Sequence, residues 1–393
     1  MTSILLVIIY ISFISLGLPD ALLGSAWPSM YGQMDVPVSY AGIVSMIIAG
    51  GTIISSLYSD KMIRKFGTGL VTAVSVCMTA AALLGFSVSG EFWQLCLWAI
   101  PYGLGAGSVD AALNNFVALH YESRHMSWLH CFWGIGATAG PYVMGICLTG
   151  GKGWNLGYLS IAIIQIVLTA ALFVSLPMWK KMSHKTEEEH GGHQSLGMKE
   201  LIRLPGAKAV LCAFFCYCAL ESTTGLWASS YMVLEKGISA EKAATWASLF
   251  YLGITFGRFL SGFITSKLGD KKMVRLGQTI AGIGVLILFL PLGEYVTLLG
   301  LVAIGLGCAP IYPSLLHETP ENFGPELSQA IMGMQMACAY VGSTFMPPVF
   351  GFLAERISIQ FYPLYLLLFV VIMVMMVEKL NRVSKKGKGN GTS

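Results

Sequence analysis

The chain has 393 residues, 55% of them hydrophobic and only 11% charged, with a formal net charge of +4. Its charge is about half the share a soluble globular protein carries. The apolar residues fall in long blocks rather than amphipathic stripes, which excludes a soluble enzyme and gives the slight basic excess no nucleic-acid partner to serve.

The N-terminus opens directly into Ile4–Tyr10, with no basic n-region and no small-residue cleavage site before Pro19 and Asp20. This predicts a retained first span rather than a removed signal peptide. Apolar runs of about 18 to 25 residues predict spans at Ile4–Trp27, Ser39–Tyr58, Gly67–Val88, Phe92–Leu119, Trp128–Leu148 and Trp154–Pro177. A long polar stretch follows, Met178–Lys208, carrying Lys180, Lys181, Lys185 and the run Glu187–Glu189. Beyond it come Ala209–Leu234, Thr245–Ser266, Val274–Pro291, Tyr295–Leu316, Gln329–Leu353 and Ile359–Val377. The reading is therefore an all-α membrane protein of twelve transmembrane helices. It comprises an N-terminal six-helix bundle (1–179), a linker (180–207), a C-terminal six-helix bundle (208–380) and a basic tail (381–393).

Basic residues orient the chain. With both termini cytoplasmic, the inner loops hold Lys61, Arg64, Lys65, Arg124, Lys267, Lys271, Lys272 and Arg275, besides the linker and the tail. The outer loops keep only Lys152, Lys236, Lys242 and Arg356, as the positive-inside rule requires of a multi-pass protein in an inner or plasma membrane. The segment His317–Glu326 is acidic although it falls on the cytoplasmic side; acids count little in this rule. All nine cysteines lie in predicted spans, no pair has CxxC form, and they read as small packing residues.

The two halves repeat. Asp20, Gly24, Trp27 and Tyr31 in the first span are echoed by Glu221, Gly225, Trp227 and Tyr231 in the seventh. Gly51 and Gly257, Gly136 and Gly342, Pro141 and Pro347, and Gly145 and Gly351 share one constant spacing. Parallel six-helix repeats of this kind are the architecture of the major facilitator superfamily, which the chain resembles over essentially its whole length. The loop Ser56-Leu-Tyr-Ser-Asp60-Lys61-Met-Ile63-Arg64-Lys65 resembles the superfamily's conserved loop, with Ser56 and Ile63 where glycines are usual. The resemblance implies a cytoplasmic latch from Asp60, Lys61, Arg64 and Lys65, and a second, shifted copy including Arg258 and Asp270. Asp20-Ala-Leu22-Leu23, and Gly103-Leu-Gly105-Ala-Gly107 followed by Asp110 and Asn114, resemble the fucose permease group of proton-linked sugar symporters. That group links the two matching acids to proton coupling.

Read from the residues alone, the ionisable groups at predicted membrane depth are Asp20, Asp110, Glu221 and Arg258. Each costs about 2.5–3.5 kcal/mol to insert at the centre on the translocon scale. A carboxyl that is neutral or charged according to which side reaches it is what proton coupling needs, so Asp20, Asp110 and Glu221 are the candidates. The plainer alternatives are an ion pair with Arg258, a cap for backbone broken at Pro19, or, for Glu221, a hydrogen bond to a sugar hydroxyl. Asn114 lies one turn from Asp110, on the same face; its amide and that of Asn115 suit a hydroxyl-rich ligand or serve as glue between helices. His130 either joins a proton path or marks the interface. Trp27, Trp133, Tyr217, Trp227 and Tyr340 would stack on the apolar face of a sugar or simply pack. Gln335 is the best polar candidate of the second half.

Other motifs are weaker. The glycines of the fourth span explain close packing better than phosphate binding. His184, His190 and His193 beside the glutamates read as a solvated linker rather than a metal site. No cofactor or metal is expected. The expected partners are a sugar-like solute, protons and the lipid bilayer, and the expected state is a monomer. The leading function is proton-coupled symport of a monosaccharide or similar polar solute. The alternatives are an exporter or facilitator of another small solute and, outside transport, a membrane sensor or intramembrane enzyme. For an enzyme, no nucleophile and base converge at one depth; for a sensor, the linker is too short to be a soluble domain.

Overall fold

In a solvent that offers no hydrogen bonds, every backbone N–H and C=O must be paired within the chain, and a helix does so locally. The computed structural model describes residues 2–20, 22–37, 40–190, 196–238 and 240–389, and among them there is no strand. In chain order the helices are α1 (Thr2–Gly17), α2 (Leu22–Met30), α3 (Ala41–Phe66), α4 (Thr68–Val88), α5 (Phe92–His120), α6 (Ser123–Thr149) and α7 (Gly153–His190). They continue with α8 (Met198–Arg203), α9 (Ala207–Leu234), α10 (Ala240–Leu268), α11 (Asp270–Leu288), α12 (Glu294–His317), α13 (Thr319–Phe323), α14 (Pro325–Arg356) and α15 (Tyr362–Gly389).

Ten stretches among the described residues are long and apolar enough to cross a membrane, α1 and α2 together supplying the first, Ile4–Trp27. The remaining two of the twelve are α5, interrupted by glycine, proline and polar residues, and α11, whose first turn carries Asp270, Lys271 and Lys272. The first span is broken where Pro19 offers no N–H. Turn bonds replace the helix ladder there, from Asp20 N–H to the Gly17 carbonyl and from Leu22 N–H to the Pro19 carbonyl. The sixth span runs past its expected end at Pro177, because α7 continues to His190 through a run of methionine, lysine and glutamate that favours helix. The histidines and glutamates of that run, together with His193, lie outside the described side chains. Gly67 and Gly269, at φ 80° and 75°, make the tight turns from α3 to α4 and from α10 to α11, a backbone conformation that L side chains resist.

The chain divides into two compact units: Met1–Phe116 with Leu129–His193, and Val117–Trp128 with Gln194–Ser393. The end of α5, the start of α6 and the turn between them thus group with the second unit, which the span pattern did not anticipate. In the first unit Leu22, Trp27, Phe86, Trp154 and Tyr158 form a buried core. In the second, α14 and α15 pack on α9, and α12 packs on α10 and α11.

Two of the repeated glycine pairs, Gly136 with Gly342 and Gly51 with Gly257, lie against a neighbouring helix in both units. A Cβ on Gly136 would overlap the Ile14 carbonyl of α1, and one on Gly342 would overlap the Phe215 carbonyl of α9. Gly51 lies against the backbone of Gly103 and Leu104, and Gly257 against Ala309 and Leu306. Hydrocarbon offers helices little hydrophobic reason to associate, so close backbone approach at small residues supplies the packing energy.

Candidate functional site

The break between α1 and α2 carries Asp20, whose carboxylate accepts two hydrogen bonds. Trp133 Nε1 of α6 donates at 2.8 Å and the Tyr102 hydroxyl of α5 at 3.2 Å. Beside it a cavity of about 10 Å³, room for roughly one water, is lined by Ser12, Ser15, Pro19, Tyr102 and Gln165.

A second polar group lies on α5 and α6 of the same unit. Asn114 Nδ2 donates to Asp110 Oδ1 at 2.8 Å and to the Asp110 carbonyl at 2.9 Å. Its Oδ1 stands 3.0 Å from His130 Nε2. With the Asn114 nitrogen committed to the carboxylate, its oxygen accepts, so His130 carries a proton on Nε2. Asp110, Asn114, Asn115 and His130 are all at most 7% exposed. Trp27 does not join these groups; it is buried in the unit's core with Phe92 edge-on at 6.5 Å.

In the second unit Arg258, mid-way along α10, is brought to Glu221 of α9 at 3.5 Å and donates to the Tyr217 hydroxyl at 3.4 Å. Tyr217 packs in turn on Tyr312, with ring centroids 5.5 Å apart. Arg258 therefore stands with Glu221 and not with Asp270. Trp227 donates to the Pro347 carbonyl at 2.9 Å and packs edge-on against Phe350. Gln335 exchanges hydrogen bonds with Thr319 at 3.1 Å, and the Tyr340 carbonyl accepts from Ser343.

Of the loop residues, Asp60 makes a two-bond pair with Arg64 one turn on, at 2.9 and 3.0 Å from Arg64 Nε. Lys61 and Lys65 lie over the rings of Tyr58 and Phe66. Asp270, which opens α11, accepts from Ser123 and contacts His317 Nδ1 at 2.8 Å; His317 Nε2 reaches the Tyr121 carbonyl at 3.1 Å. Sequence reasoning named Asp270 but missed His317, Tyr121, Ser123 and Tyr102. The one available signal was the acidic departure at His317–Glu326.

Glu318, next to His317, is 3% exposed and its Oε1 makes no hydrogen bond. Burial, reinforced by Asp270 and by Glu321 and opposed by Lys271 and Asn322, raises its carboxyl from 4.5 to about 7. The fold thus prefers the neutral acid. That contribution is complete below pH 4.5 and is lost as pH rises through about 7. Glu318→Gln should flatten the decline in unfolding stability across this window, which amounts to about 3 kcal/mol. Denaturant unfolding of wild type and variant over the same pH range measures it; parallel profiles would rule the assignment out.

A profile of the Major Facilitator Superfamily matches residues 9–227 and again 209–392. The chain belongs to this superfamily of transporters. It is 24% identical over 401 residues to the bypass of stop codon protein 6 of Saccharomyces cerevisiae, covering 90% of this chain and 78% of that protein. It is 21% identical over 318 residues to the glucose/mannose transporter GlcP of Bacillus subtilis, covering 78% of this chain and 77% of that one. The crystal structure of the E. coli fucose:proton symporter FucP superposes with a TM-score of 0.77 at 16% identity, over 96% of this chain and 98% of that one. The chain is a multi-pass membrane transporter with the fucose-permease-like form of the fold.

Proposed function

We propose that the chain is a proton-coupled symporter of a monosaccharide or a similar small polar solute. One observation carries the reading. The first unit sets two carboxylates among polar side chains: Asp20, an exposed residue, accepts from Trp133 and Tyr102, and the buried Asp110 accepts from Asn114, which stands in line with His130. A carboxyl set among polar side chains at membrane depth gains or loses a proton as its surroundings change. Asp20 and Asp110 are the proton carriers, with Glu221 coupled to Arg258 in the second unit. Asn114, Asn115, His130, Trp133, Tyr217, Trp227, Gln335 and Tyr340 supply amide, ring and hydroxyl groups for the solute. The likeness to a glucose/mannose transporter supports a sugar.

The basic residues of the loops support cytoplasmic termini; the proposed form is a monomer in the inner or plasma membrane with bundles at 1–179 and 208–380. Asp60 with Arg64, and Asp270 with its partners, then lie at the cytoplasmic ends of the helices as latch groups. A second reading, a facilitator or exchanger of a small anion, is favoured by Arg258 alone: a solute carboxylate would take the place of Glu221 beside it.

The test is uptake of labelled solutes into vesicles holding the purified chain, with and without an imposed proton gradient. Symport of one proton gives about tenfold accumulation per pH unit of gradient. Equilibration without accumulation, for sugars and anions alike, would refute coupling; accumulation of carboxylates alone would favour the second reading.

A further inference from the structure

The ring of His317 stands between two groups that only accept hydrogen bonds. Nδ1 lies 2.8 Å from Asp270 Oδ2, and Nε2 lies 3.1 Å from the Tyr121 carbonyl. A neutral imidazole has one N–H and one lone pair, so it meets one acceptor well and sets its lone pair against the other. Both contacts are made only when the histidine–aspartate pair holds one proton more than a neutral ring beside a carboxylate. The other oxygen of Asp270 accepts from Ser123, so the chain of bonds runs from the Tyr121 carbonyl through His317 and Asp270 back to the same short segment. That segment, Val117–Trp128, belongs with the second unit, where Trp128 also packs against Gly262 and Phe263.

We propose that His317 and Asp270 form a proton-binding site whose occupancy fastens the segment Val117–Trp128 to the second unit, separate from the carboxylates that carry protons with the solute. The charged neighbours are accounted for. Lys271 pairs with Glu321 at 3.7 Å, Arg275 with Glu378 at 2.6 Å, and Arg124 with Glu122 at 3.1 Å. His125 on the segment packs edge-on between Tyr121 and Trp128. Glu318 is a further titratable neighbour, and His120 lies on the segment itself. The Glu318 Oε1 is buried and makes no hydrogen bond. Raising pH removes the proton from the ring, leaves a lone pair facing a carbonyl or a carboxylate, and loosens the segment. Because the segment comprises the end of α5 and the start of α6, the helices that bear Asp110, Asn114 and His130, its fastening couples local pH to the mobility of the transport residues whatever the solute.

Hydrogen–deuterium exchange of peptides covering 117–128, in the full-length chain in lipid nanodiscs and corrected for the intrinsic effect of pH, tests this. One proton linked to docking gives about a tenfold loss of protection per pH unit above the midpoint. His317→Gln should be poorly protected and flat with pH, and His317→Arg, always cationic and rich in donors, well protected and flat. Glu318→Gln should keep the wild-type slope. A wild-type segment whose protection does not change with pH would overturn the proposal, needing no variant to do so. So would a slope that survives in His317→Gln or disappears in Glu318→Gln.

Discussion

Replacing Asp110 with asparagine is expected to reduce proton-driven accumulation from about tenfold per pH unit of gradient to none, while exchange of solute across the vesicle continues within a few-fold of wild type. The introduced amide keeps an oxygen for the Asn114 Nδ2 donor, now 2.8 Å from Asp110 Oδ1, so the Asn114–His130 contact survives. What is lost is the ability to carry a proton. Asp20→Asn is expected to impair accumulation and exchange together. Its site receives two donors, Trp133 and Tyr102, and an amide nitrogen there would face one of them, a repulsive contact. Counterflow and gradient-driven uptake, measured on the same vesicles, separate the two outcomes. Accumulation and its pH dependence intact in both variants would make these carboxylates structural and remove the main support for symport.

The second large effect concerns Arg258. Its head group is 6% exposed and its partner Glu221 is 20% exposed, at 3.5 Å. Arg258→Met should destabilise the fold by about 3–5 kcal/mol, because it leaves a carboxylate in a poorly solvated place without its counter-charge. Glu221→Gln should do the same to the guanidinium, softened by the remaining Tyr217 hydroxyl. Arg258→Met combined with Glu221→Leu should recover much of the loss, since two apolar side chains need no partner. Thermal unfolding of the purified variants reads the stability. A double variant no more stable than Arg258→Met would show that the pair is not coupled. Transport by the double variant separates the roles: a purely structural pair leaves uptake, a solute-binding pair does not.

The residues that sequence reasoning could place were those whose role follows from local spacing. Asp110 and Asn114 are one helical turn apart, and the structure joins them directly. Asp60 and Arg64 stand at the same spacing and form a pair. The break at Pro19 was legible because a proline removes a donor wherever it falls. The contacts that spacing left open depend on which helices become neighbours. Trp27 and Trp227 repeat across the halves, yet one fills a core and the other hydrogen-bonds to the Pro347 carbonyl. Arg258 was grouped by motif with Asp270, but its place in α10 turns it toward Glu221 of α9.

From the sequence by itself came the membrane class, the twelve spans and the two-fold repeat. Each follows from composition and periodicity, which a solvent without hydrogen bonds translates into helices and a recurring set of glycines translates into close packing. Only the tertiary structure decided that Trp133 and Tyr102 meet Asp20, that His130 meets Asn114, and that His317 and Asp270 meet Tyr121 and Ser123. Those partners are far apart along the chain, and a hydrogen bond between them exists only because helix packing fixes their distance to within a few tenths of an ångström.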